Sequence, residues 1–192
     1  EVNITHESGN EKFKIVLLGL LVGVATLSGI EIFVNEIYPK ISKKIGVDNF
    51  EVHVVGGMFD TMPEELKSKL IKKNIVLRGQ VTPADKEFLS ADVLLVPTPI
   101  DLGIRVRIIT AFSFGGLVIA HSANQKGIPE LKHEYNGLIG NNGFEMAEQI
   151  IKVYNKEVNI EEIKANSRIT YENFFTPMTF AQEIQEEIGR LS

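Results

Sequence analysis

The chain has 192 residues, 44% of them hydrophobic and 23% charged, with a formal net charge of −5. That is a soluble globular composition with enough chain to bury a sizeable core. Lysine and arginine are scattered, which speaks against duplex nucleic acid, whose phosphates need a concentrated basic face. Without cysteine there is no disulfide framework and no thiolate metal site, so the cytoplasm is the expected compartment.

Residues 1–12 read as a polar tail or linker, acidic and unlike a secretory leader. The Asn3 glycosylation triplet therefore reads as chance. With no initiator methionine, the chain reads as a piece of something longer. The uncharged run Ile15–Ile30 falls short of the roughly 20 residues a spanning helix needs, and Gly19, Gly23 and Gly29 interrupt it. It reads better as a buried strand, Phe13–Gly19, followed by a glycine-rich turn and a helix start. The periodicity predicts a helix over about Ser28–Ile45, with Ser28 as N-cap and a kink or break at Pro39.

"FEVHVVGG" reads as the second strand and "TMPEELKSKLIKK" as a helix capped by Thr61 with Pro63 in its first turn. "NIVLRGQV" is a third strand, a short helix starts at Thr82, and "ADVLLVPTP" is a fourth strand closed by Pro97 and Pro99. A helix from about Gly103 to Phe114 follows. "GLVIAHS" and "NGLIG" supply strands five and six. Helices are expected at Phe144–Tyr154, Ile160–Phe174 and Met178–Leu191. This alternation implies an α/β fold: a three-layer, doubly wound parallel sheet of Rossmann-like type. Ligands of such sheets bind at the carboxyl ends of the strands, near the switch point. The expected unit is 13–175, with 176–192 as a terminal helix.

The loops after the strands are therefore where chemistry is sought. A helix beginning near Gly103 offers free N–H groups and the positive end of its dipole, an anion site. Arg105 in its first turn opposes the dipole unless an anion bridges the two. The plainer reading has Arg105 and Arg107 snorkelling over apolar neighbours on a solvated face. The loop after Gly19 has no phosphate-loop spacing and reads better as close turn packing than as a phosphate loop; Gly56–Gly57 reads as a strand-end turn. None of the four histidines has metal-ligand spacing; His53 reads as a satisfied sheet residue, whereas His121 ends strand five at the ligand edge. Gly127 and Glu130 lie in the loop that follows, where Glu130 binds ligand or pairs locally.

With these elements in order, the chain resembles the C-terminal, donor-binding domain of GT-B retaining glycosyltransferases of group 1. The resemblance covers roughly residues 13–190. "GLLVGVATLSGIEIF" keeps Gly19, Gly29 and Phe33 of the family's G-x-x-x-W-x-P-N-x-x-G-x-x-x-F pattern. "PTPIDLGIRVRIITAFSFG" supplies Pro97, Gly103, Arg105, Arg107, Ala111 and Gly115 of P-x5-G-x-R-x-K-x-x-E-A-x-x-x-G. "GIPEL" and "NGLIG" are similar to two later segments.

The resemblance implies binding of a UDP, GDP or ADP sugar and transfer of a hexose-type sugar in glycan or polysaccharide synthesis, with no cofactor and no metal in this domain. Gly19, Gly103, Ile104 and Arg105 would hold the diphosphate, with Arg105 and Arg107 the catalytic cations and Arg105 the leading choice. Gln80 and Val81 would face the base. The loop from His121 to Gly127, with Glu130, would lie near the donor sugar. The partner implied is an N-terminal acceptor-binding domain, towards which the terminal helix and Phe174, Phe175 and Phe180 would reach. A fragment of this size is expected to be inactive alone. The full-length protein is expected in the cytoplasm, with peripheral attachment to the inner face of a membrane an open option.

The departures are specific. Thr110 stands where the family has a ribose-gripping glutamate and would offer the donor's ribose a hydroxyl, a weaker grip than a carboxylate; Leu20 stands where an arginine is common, and Ser28 where a lysine is. Two alternatives follow: a catalytically degenerate domain acting as a binding or scaffold module, and a GT-B sugar-nucleotide epimerase.

Overall fold

In the computed structural model, which describes residues 12–179 and 185, six parallel strands form one sheet in the order β3-β2-β1-β4-β5-β6. They are β1 Phe13–Leu18, β2 Phe50–Val55, β3 Ile75–Gly79, β4 Val93–Val96, β5 Val118–His121 and β6 Leu138–Gly140. β1 pairs with β2 on one side and β4 on the other, in registers Ile15↔Val52 and Ile15↔Val93. The winding direction therefore reverses between β1 and β4, and the loops leaving those two strands part there.

Both faces of the sheet are covered. Ile15, Leu17, Val52, Val93 and Leu95 point into a core shared with α1 (Val24–Ile32), α2 (Tyr38–Ile45), α3 (Glu64–Leu70) and α6 (Gly143–Tyr154). Val16, Leu94, Val96 and Val118 point the other way, onto α4 (Asp85–Leu89) and α5 (Val106–Ser113). Tyr171 of α7 (Ile160–Phe174) packs against that second core. Alternate residues of one strand thus serve two cores, so the central strands read as unbroken apolar runs.

Several boundaries differ from the sequence expectation, each for a local reason. The first helix begins at Val24, because Gly23 caps it through its backbone carbonyl, which accepts from the Thr26 and Leu27 N–H groups. Ser28 lies inside that helix and donates to the Ala25 carbonyl. Pro39 does not break the helix. A π-helical turn, Phe33–Ile37, precedes it and buries Phe33, Val34 and Ile37, and α2 continues to Ile45. The widened turn takes up a proline that can neither donate nor tolerate the usual carbonyl four residues back.

Thr61 does not cap α3. It donates to the Met58 carbonyl, and extended Met62, restricted by the following proline, leaves Pro63 at the cap. Pro83 likewise disfavours helical backbone at Thr82, and α4 begins at Asp85. The expected helix from Gly103 begins at Val106, since Gly103 is left-handed at φ 75° and Arg105 has ψ 84°. The run Ile15–Ile30 divides into β1, a turn and part of α1. Among the described residues no helix is long and apolar enough to cross a membrane. The tail up to residue 11 and most of the expected helix Met178–Leu191, with Phe180, lie outside the described residues.

One buried charge cluster ties α4 to the sheet. Glu87, with its side chain 4% exposed, meets Lys14, His53 and Arg78. His53 is indeed a satisfied sheet residue, bonded to Glu51 and Glu87. Burial by itself would raise the Glu87 pKa. The His53 hydrogen bond and the Lys14 and Arg78 charges outweigh burial and hold it below the ordinary 4.5. A carboxyl lowered in the folded state stabilises above its unfolded value, and that stability is lost as pH falls through the folded one. Thermal unfolding of Glu87→Gln between pH 3 and 7 is therefore expected to show a lower Tm than wild type at pH 7. The difference shrinks below about pH 4.5, where the wild-type carboxyl protonates.

Candidate functional site

The site assembles at the switch point from two loops that face each other. Residues 19–23 leave β1, and residues 97–105 leave β4. Gly19 continues the β1 ladder by donating to the Val55 carbonyl. A Cβ on Gly19 would lie 2.7 Å from Nη1 of Arg107, so only glycine lets that guanidinium lie against the strand end. Across the cleft, the β4 loop turns at left-handed Gly103, whose carbonyl packs on Gly127 with no room for a Cβ there. The loop after β5 thereby braces the loop after β4.

Between these loops runs an open groove of about 320 Å³, with Ala25 and Thr26 on one wall and Ile104–Arg107 on the other. It borders a smaller pocket bounded by Gly19, Gly29, Thr98 and Arg107. Arg105 occupies the cap position of α5, and its Nη1 and Nη2 donate to the Leu102 and Ile100 carbonyls at 2.9 and 3.2 Å. Arg107 lies in the first turn, and its Nη2 donates to Oγ1 of Thr98 at 3.0 Å. The Nε atoms of both arginines are buried without a hydrogen-bond partner.

No carboxylate among the described residues pairs with either arginine, whereas Lys126 nearby is bridged to Asp101 at 2.8 Å. Burial, and then the charge of Arg105, lower the Arg107 pKa to about 10. The first turn of α5 has no acidic residue, so the helix dipole adds further positive potential. Two guanidinium groups, free N–H groups and a dipole converge with no counter-charge. The arrangement can hold a multiply charged anion.

The other expected site residues distribute unevenly. Gly19, Gly103, Ile104, Arg105 and Arg107 come together at the groove, with Gly127 directly behind Gly103. His121 ends β5, and its Nδ1 accepts from the Ala123 N–H at 3.1 Å. Burial lowers the His121 pKa, against the opposing pull of the Asn141 carbonyl, Glu145 and Glu36, so the ring is neutral near pH 7. Exposed Gln80 extends over Gly57 at the ends of β3 and β2, while half-buried Val81 packs on the core under α4.

Glu130 is not at the strand-end groove; it lines a separate surface groove with Lys132, Tyr135 and Phe174. The Thr110 hydroxyl is bonded to the Val106 carbonyl at 3.1 Å, within its own helix. Phe174 is exposed, but Phe175 packs on the core of its own sheet. Two residues not singled out from the sequence also stand here, Thr98 and Asn124, both buried polar groups. A polar residue set between two prolines at a strand end was the one available signal for Thr98.

A family profile described as Glycosyl transferases group 1 matches residues 12–156. No curated protein sequence matches the chain. Among solved structures, Anabaena HepE in complex with UDP superposes with a TM-score of 0.78 at 15% identity, covering 93% of this chain and 49% of HepE. HepE has also been solved with UDP-glucose. Sucrose-phosphate synthase from Thermosynechococcus elongatus gives 0.74 at 15% identity, covering 95% of this chain and 46% of the other. The C-terminal domain of the group 1 protein LpcC from Francisella tularensis gives 0.67 at 15% identity, with 86% and 87% covered. The chain thus spans about half the length of HepE and the synthase and most of the LpcC domain.

A lowered pKa on a buried cation measures what its burial costs the fold. A fall from the ordinary guanidinium value to about 10 corresponds to a cost on the order of 3 kcal/mol. Arg107→Met should therefore stabilise the protein by about 1–2 kcal/mol, after loss of the Thr98 hydrogen bond, and raise Tm by several degrees. Added pyrophosphate should raise the wild-type Tm and raise the variant's much less in the same thermal-shift series.

Proposed function

The chain belongs to the glycosyl transferases group 1 family, and we propose that it is the donor-binding half of a retaining hexosyltransferase of glycan or polysaccharide synthesis. In this reading it grips the diphosphate of a nucleotide sugar at the α5 end of the β1–β4 groove. The observation that carries it is the uncompensated arginine pair, above all Arg107 with its buried, unpartnered Nε. HepE, solved with UDP and UDP-glucose on the same fold, supports this ligand class.

The chemistry asked of these residues is electrostatic. When the bond from the anomeric carbon to the phosphate oxygen breaks, the leaving diphosphate takes the electron pair and gains negative charge. Arg105, Arg107 and the α5 N–H groups stabilise that charge in place, which favours departure over the bound ground state. With cations already built in, this half needs no metal. The base lies towards Gln80 at the β3 edge, and the sugar towards the loop that begins at His121. Acceptor recognition belongs to the other half of a two-domain transferase, so this half alone turns nothing over. In this reading the reaction runs in the cytoplasm or on the inner face of a membrane; among the described residues no helix is long and apolar enough to cross one.

One observation favours the second reading, a binding or scaffold module without turnover. The Thr110 hydroxyl donates to the Val106 carbonyl, and no carboxylate lines the groove among the described residues.

Calorimetric titration with UDP, GDP, ADP, uridine and pyrophosphate tests both readings. Arg107→Ala should weaken the diphosphates about 10- to 100-fold, the span of one charge-assisted hydrogen bond. It should leave the nucleoside unchanged, and EDTA should change neither. Nucleotides that bind no better than about millimolar would favour the scaffold reading.

A further inference from the structure

Resting on the donor-site reading, we propose that Thr98 is a positioning residue for Arg107, itself held in place by Asn124. Arginine is long and rotamer-rich, and fixing it costs up to about 2 kcal/mol of side-chain entropy. A site gains affinity when the scaffold fixes such a group before the ligand arrives. Here the fixing contact is a single oxygen.

Thr98 follows β4 between Pro97 and Pro99, and it is 1% exposed. Neither neighbour carries a backbone donor. Its Oγ1 accepts from Nη2 of Arg107 at 3.0 Å and is the one protein atom the guanidinium bonds among the described residues. With that corner fixed, Nη1 lies over Gly19 and Nε remains free.

Thr98 is itself held from two sides. Asn124, in the turn after β5 and 3% exposed, donates through Nδ2 to the carbonyls of Thr98 at 3.2 Å and His121 at 2.8 Å. It thereby cross-links the ends of β4 and β5. From the other side, Gly29 of α1 approaches so closely that a Cβ there would stand 3.3 Å from Oγ1 of Thr98. The carbonyl is anchored, the hydroxyl is walled in, and the arginine inherits the placement. Thr98 touches the arginine and acts on the anion through it.

The test compares Thr98→Val, which keeps the shape and removes the acceptor, with Thr98→Ser, which keeps the hydroxyl. Pyrophosphate and uridine are titrated calorimetrically into the full chain, and rotation about the Arg107 guanidinium bonds is followed by side-chain nitrogen NMR. Thr98→Val should weaken pyrophosphate about 5- to 20-fold with uridine unchanged, and should speed Nη rotation. Thr98→Ser should stay within about threefold of wild type. In an Arg107→Ala background, Thr98→Val should have no further effect.

Unchanged pyrophosphate affinity in Thr98→Val, or an additive loss in the double variant, would overturn the proposal. A wild type that binds no pyrophosphate defeats the donor-site reading instead, and Nη rotation then decides alone: rates equal in wild type and Thr98→Val overturn the positioning role. If Thr98→Val loses the fold by circular dichroism, the wild-type spectrum decides, because fast Nη rotation there is incompatible with a fixed guanidinium.

Discussion

Everything at the groove depends on a guanidinium group that the fold half-buries without giving it a negative partner among the described residues. Desolvating a charge is among the more expensive things a protein can do, and a pair or network of opposite charges normally offsets it. Arg107 has instead one threonine oxygen and a second arginine for a neighbour. The backbone on all sides accommodates it: Gly19 leaves room on β1, and Gly103, braced by Gly127, shapes the loop that carries it. An arrangement this costly to an empty fold is what a site for a charged ligand looks like from the inside.

The contrast with Glu87 gives that inference its weight. Both are ionised side chains drawn partly out of water, Glu87 on the face of the second core and Arg107 at the strand ends beside Leu17 and Leu95 of the first. Around Glu87 the chain has gathered Lys14, Arg78 and His53 from β1, β3 and β2. The fold can therefore neutralise a buried charge where the charge only has to hold elements together. At the switch point it does not, and the described residues leave Arg107 without a carboxylate.

The rest of the structure serves to hold two loops at a fixed separation. Parallel strands carry both cores, so the ends of β1 and β4 cannot shift without disturbing two sets of side chains. The π turn ahead of Pro39 keeps Phe33 and Ile37 in the core and lets one long helical stretch run from Val24 to Ile45 along the sheet. Asn124 closes the other side by bonding carbonyls on two strands at once. Rigidity in the scaffold is what lets so few polar atoms specify a site.

The sequence by itself determined the alternation of strands and helices and the parallel sheet, and it directed attention to the carboxyl ends of the strands. Those follow from local periodicity and turn residues, which are properties of neighbours along the chain. It also brought out Arg105 and Arg107, because charges stand out in an apolar run. Local signals misplaced several helix starts, since Gly23 caps with a carbonyl rather than a side chain and prolines hold Thr61 and Thr82 outside their helices. Only the tertiary structure decided that Arg107 has fewer hydrogen-bond partners than Arg105, that the Thr110 hydroxyl is used within its own helix, and that Glu130 faces another groove. It alone revealed Thr98 and Asn124 as the contacts behind the arginine. Burial, counter-charge and hydrogen-bond partners are set by residues far apart in the chain, and no local pattern encodes them.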